Sequence, residues 1–140
     1  MLALAGVLLA ARLLPEGKSE PVVWRDLSAQ VGPLSIGGLE RRLFRDQEQF
    51  EGYLERARAR RTPTVDFSKR QVLLVSTGPR SSTGYSIQVL GVEERDGELT
   101  VRVKELSPGL EDRVEPQVTF PYRLLSLPAG REVYVDWLGR

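Results

Sequence analysis

Hydroxyl side chains set between two glycines and closed by an aromatic ring mark one stretch whose residue types suit recognition chemistry. It reads Gly78-Pro79-Arg80-Ser81-Ser82-Thr83-Gly84-Tyr85-Ser86-Ile87. Ser81, Ser82 and Thr83 can order a turn or offer hydrogen bonds outward. Gly84 permits a backbone bend that a β-carbon would resist. Tyr85 is a rigid amphipathic ring of the kind that anchors protein partners. With Arg80 these residues form the candidate partner-binding set. The same residues also suit an ordinary strand connection with Tyr85 packed in the core, and residue type alone leaves both readings open.

Other chemistry is sparse. The chain has no Cys and no His. Disulfides, thiolate nucleophiles and zinc–thiolate sites are therefore excluded, as is a Ser–His–Asp triad. Paired carboxylates occur at Glu93/Glu94 and Glu111/Asp112. Neighbours on a strand point to opposite faces, so Glu93 and Glu94 cannot act on one substrate. Both pairs lie beside turns and read as solvated loop charge. Gly78–Gly84 lacks the Gly-Lys-Ser/Thr ending of a phosphate loop, and no EF-hand or dinucleotide fingerprint is present. No catalytic residue, cofactor or metal site is expected, and the reading is non-enzymatic. Arg56, Arg58, Arg60 and Arg61 form a basic run without the interleaved aromatics that stack on bases. They read as a solvated helix end. With a net charge of only +1, no nucleic-acid partner is expected.

The elements that position the loop follow from periodicity. A chain of 140 residues, 41% hydrophobic and 28% charged, fits one globular domain. Met1–Leu14 is apolar except for Arg12 and too short to span a bilayer unaided. Residues 1–15 read as a signal-like or anchor segment and 16–21 as a linker, leaving 22–140 as a single domain. This start implies an exported, periplasmic or envelope-associated protein, with residues 1–14 offering a membrane attachment. Asp46 followed by Gln49 predicts a capped helix over about 46–60, with Phe50, Tyr53, Leu54 and Ala57 on one face. Thr62-Pro63 ends it.

From Val65 the period becomes 2, and residues 65–138 read as β-rich. Val72–Val75 is apolar on both faces, as in a central strand. Tyr85, Ile87 and Val89 alternate, as do Leu99, Val101 and Val103, with a hairpin turn at Asp96-Gly97 between them. Ser107–Glu115 reads as a polar, acidic loop. Val118, Phe120, Tyr122 and Leu124 alternate around Pro121, which predicts an edge strand or a bulge. Val133, Val135 and Trp137 form the last strand. The pattern predicts a mainly β (α+β) domain, an antiparallel sandwich or open barrel with one N-terminal helix.

Several of these pieces, taken in order, resemble a family. Val65-Asp66-Phe67-Ser68-Lys69-Arg70-Gln71-Val72-Leu73-Leu74-Val75 and Thr83-Gly84-Tyr85-Ser86-Ile87 look like the C-terminal domain of the PrcB family of protease-complex subunits. Val92, Asp96-Gly97-Glu98-Leu99, Pro108-Gly109, Phe120-Pro121-Tyr122 and Leu127-Pro128 continue the register, so the resemblance runs from Val65 to Pro128. Where that pattern has two glycines before the tyrosine, this chain has Thr83-Gly84. The loop is thereby also similar to the Thr-Thr-Gly-Tyr motif of chagasin-type inhibitors of papain-like cysteine proteases, which have an immunoglobulin-like fold. Only Thr83, Gly84 and Tyr85 carry over, because Ile87 stands where those inhibitors have tryptophan. The resemblances imply an immunoglobulin-like sandwich acting as a binding module that docks onto a protease or another envelope protein. The alternative they imply is a chagasin-like inhibitor.

Overall fold

The computed structural model describes residues 19–139. The signal-like or anchor reading of residues 1–15, with the membrane attachment through 1–14, lies outside the described residues. Among the described residues no helix is long and apolar enough to cross a membrane. In chain order the elements are β1 (Glu20–Pro21), β2 (Arg25–Asp26), α1 (Ser28–Val31), β3 (Leu39–Phe44), α2 (Gln47–Arg56), β4 (Arg70–Thr77), β5 (Ser86–Arg95), β6 (Glu98–Leu106), β7 (Tyr122–Pro128) and β8 (Glu132–Trp137). Glu20 and Pro21, read from sequence as the end of the linker, pair with Glu94 and Glu93.

Two four-stranded sheets, ordered β1-β5-β6-β8 and β2-β7-β4-β3, form an open sandwich. The mainly β architecture expected from the strand spacing is therefore present. β4 explains why it holds together. Leu73 and Val75 face the other sheet and pack with Ile87, Val92, Val101, Leu125 and Leu127. Val72 and Leu74 face the opposite way, onto a second core built with Phe50, Tyr53 and Leu54 of α2. Burial on both faces is what the continuous apolar run required.

One pairing departs from the antiparallel expectation. β8 runs parallel to β6, from Glu98↔Glu132 to Val103↔Trp137. The physical reason is that β7 lies in the other sheet. The chain crosses to it after β6 and crosses back through the 129–131 turn, so it re-enters the first sheet in β6's direction. Pro121 also falls differently. β7 begins after it and lies between β2 and β4, so the proline marks a strand start rather than an edge. Its carbonyl accepts from the Thr77 amide at 3.2 Å.

Helix α2 starts as its sequence dictates, with Asp46 Oδ1 accepting from the Gln49 amide at 2.9 Å. It ends earlier than residue 60. Arg58 adopts a left-handed φ of 63°, its amide bonding Glu55 O while the Ala59 amide bonds Leu54 O. These two bonds make a Schellman stop with arginine at the position usually held by glycine. The Arg56–Arg61 run is thus a helix end followed by coil.

Two arginines close the seams of the sandwich. Arg41 on β3 donates to the Val133 carbonyl of β8, and Arg123 Nε on β7 donates to the Ile87 carbonyl of β5 at 2.6 Å. Val133 lies on the edge strand β8, and Ile87 on the part of β5 that the two-residue β1 leaves uncovered, so each arginine occupies a backbone acceptor where an unpaired edge invites foreign strands.

Candidate functional site

The Gly78–Tyr85 segment connects β4 in one sheet to β5 in the other, so it lies at one end of the sandwich. Its glycines are there for close approach. Gly78 has φ 81°, and a β-carbon on it would lie 3.0 Å from the Leu39 amide nitrogen. Gly84 has φ 96°, and a β-carbon there would lie 2.9 Å from Pro108 Cβ and 3.1 Å from Val114 Cγ1. Ordinary side chains fit neither space nor dihedral.

What sits against Gly84 is a second loop, between β6 and β7, and the hydroxyl-rich residues bind it. The Thr83 amide donates to Glu115 O at 3.1 Å, and the Glu115 amide donates to Thr83 Oγ1 at 2.9 Å. Arg80 and Thr119 exchange backbone hydrogen bonds of 2.8 and 2.9 Å. Thr119 Oγ1 donates to Ser82 O at 2.8 Å, and Ser82 Oγ donates to Thr83 O at 3.0 Å. Arg80 also makes a two-point ion pair with Glu105, Nε and Nη2 lying 2.6 and 2.8 Å from its carboxylate oxygens. Those bonds, ahead of the Coulomb attraction, raise the Arg80 pKa. The guanidinium also lies over the Tyr85 ring, 5.9 Å from its centroid.

The six residues singled out from sequence are therefore contiguous but unequal. Ser81 and Gly84 are exposed, while Arg80, Ser82, Thr83 and Tyr85 are half-buried. Thr83 and Arg80 have their polar atoms committed to Glu115, Thr119 and Glu105. Tyr85 is neither a core ring nor a fully presented one.

Residues that sequence reasoning missed lie in the second loop. Gly109–Val118 is exposed throughout, yet it carries Leu110 (fully exposed), Val114 (43%) and Val118 (62%). The signal was legible in hindsight. Leu106, Leu110, Val114 and Val118 recur every fourth residue through a segment containing Pro108, Gly109 and Pro116. Neither helix nor strand can bury such a set there. Val118 was expected to alternate into a strand, but β7 starts only at Tyr122.

Strand register gathers more apolar surface at the same end. Leu39 pairs with Thr77 at the finish of β4, Ser86 with Leu106 where β5 begins and β6 ends, and the Leu138 amide donates to Val103 O beyond β8. Leu39, Leu106, Leu110, Val114, Val118 and Leu138 are thus six of the nine exposed large hydrophobic residues among those described, the others being Val23, Leu90 and Tyr134. Apolar side chains exposed together at one end are a mark of an interaction site.

A groove of about 740 Å³ between β3 and α2 offers less chemistry. Of its lining groups, Asp46 is occupied as a helix cap and Tyr53 Oη donates to Glu40 at 2.5 Å. Among the described residues no cluster of acidic side chains is placed to hold a metal ion.

The fold and this end together define a class: a β-sandwich domain whose distinctive surface is built from two interlocked loops. Residues 71–128 match the family model of the PrcB C-terminal domain. The matched stretch runs from β4 through β7 and contains both loops. No curated protein and no solved structure matches the chain.

Proposed function

We propose that the protein is a non-enzymatic binding module of an exported or envelope-associated protease complex, and that it docks onto a protease or another envelope protein through its apolar end. The family match supports a protease-complex-subunit-like module. The observation that carries the docking surface is the collection of six exposed apolar residues around the two loops. In this reading Arg80, Ser82, Thr83 and Gly84 shape and hold the surface, and Ser81 and Tyr85 border it. The inhibitor alternative has less to stand on, since Thr83 and Gly84 face the second loop instead of projecting toward a protease cleft.

Affinity capture from an envelope fraction tests the reading. The full chain should retain a component of a protease complex, and Leu110→Asp combined with Val118→Asp should lose it. Recovery of cytosolic proteins alone, or retention unchanged by the double substitution, would sink it.

A further inference from the structure

The exposed apolar residues of the second loop are set among charges of mostly one sign. Between Gly109 and Val118, Glu111, Asp112 and Glu115 are exposed and Arg113 is the single cation, so three carboxylates against one guanidinium leave −2 in a chain whose net charge is +1. None of the four forms an ion pair among the described residues. Asp112 accepts from the Gly109 amide at 2.6 Å, which leaves its charge uncancelled. Of the cations nearby, Arg80 is bound to Glu105 and Arg123 to Asp26, leaving Lys104 on β6. The loop thus exposes three apolar side chains, Leu110, Val114 and Val118, interspersed in sequence with the carboxylates of Glu111, Asp112 and Glu115 as a charged rim.

Resting on the docking reading above, we propose that the partner of this end presents an apolar segment flanked by lysine or arginine side chains. The apolar side chains supply the area removed from water. The rim selects among apolar partners, because like charges brought together cost association and opposite charges speed it. An acidic partner with the same apolar core is rejected.

Two synthetic peptides with one leucine–valine core, one flanked by lysines and the other by glutamates, test this with the full chain by fluorescence anisotropy. The lysine-flanked peptide should bind at least about tenfold more tightly at low salt, with the preference shrinking as salt approaches about 0.5 M. Glu111→Lys with Glu115→Lys should invert the preference, and Leu110→Asp should abolish binding of both peptides. Equal binding of the two peptides, abolished by Leu110→Asp, overturns the charge-selected partner and leaves the docking end standing. Binding of both that ignores Leu110→Asp and Val118→Asp removes the docking end as well. Binding of neither peptide overturns the proposal. Self-association in sedimentation that Leu110→Asp abolishes would assign the surface to a second copy of the chain and overturn it too.

Discussion

Thr83 and Gly84 attract notice in the sequence as recognition residues, yet their chemistry is directed inward. The Thr83 hydroxyl accepts from the Glu115 amide, and Gly84 leaves room for Pro108 and Val114. Replacing Thr83 with valine removes an acceptor from a partly exposed amide and should cost about 1 kcal/mol. Gly84→Ala adds both a clash and a left-handed alanine, and should cost about 1–3 kcal/mol. Thermal melts should show the second variant falling further. Trypsin should also cut at Arg113 faster in both, because the loop has lost its tether. Unchanged cleavage rates would mean the two loops are held by something else. The sequence made the residue types at this site legible but not their direction. A threonine that presents its hydroxyl and one that binds a neighbouring loop are written alike, and Glu115 lies 32 positions away.

At the level of elements, local signals were read most faithfully where the interaction is itself local. Asp46 caps α2 through Gln49, and Asp96 and Gly97 both take positive φ in the β5–β6 turn, as their types require. The helix stop was less legible, since Arg58 carries none of glycine's marking. Its left-handed φ costs about 1 kcal/mol, part of which the greater unfolded-state freedom of glycine would offset. Arg58→Gly should therefore raise Tm slightly, and a lowered Tm would contradict the Schellman stop. The parallel β6–β8 pairing was not legible, because alternation in Val133, Val135 and Trp137 fixes a face and says nothing of strand direction. The seam arginines are similarly silent in sequence. Removing Arg123 frees the Ile87 carbonyl and leaves Asp26 without its ion-pair partner. Arg123→Leu should thus raise light scattering at high protein concentration, whereas a clear solution would show that the rim of β5 needs no such guard.

Across the whole molecule, two tyrosines tie the layers and set a limit on alkaline stability. Tyr122 Oη donates its proton to the Gly32 carbonyl with the Ser28 carbonyl also within reach at 3.1 Å, joining β7 to α1 and its following turn. Burial first, then the Asp26 charge, pushes its pKa up to about 12, against an opposing pull from Arg123. Tyr53 is raised by burial and then by its hydrogen bond to Glu40. The unfolded chain releases these protons near about pH 10, so their contribution is whole below that pH and is lost as pH rises through the folded-state values. Urea midpoints should be flat up to about pH 10 and then decline, with a shallower decline in Tyr122→Phe. A midpoint constant to pH 12 would contradict the assignment. The same view of the whole molecule separates an apolar end, with the two loops, from the end carrying the Asp96-Gly97 turn. No single residue conveyed that contrast, because Leu39, Leu110 and Leu138, far apart in sequence, reach one end only through the sheet topology. Site-directed photocrosslinking tests it most directly, with the photoreactive residue placed at Leu110, at Val118 or, as the opposite-end control, at Gly97. Adducts to a protease-complex component from the first two positions and none from the third are the predicted result; adducts formed equally from Gly97, or absent from both Leu110 and Val118, would contradict the docking end.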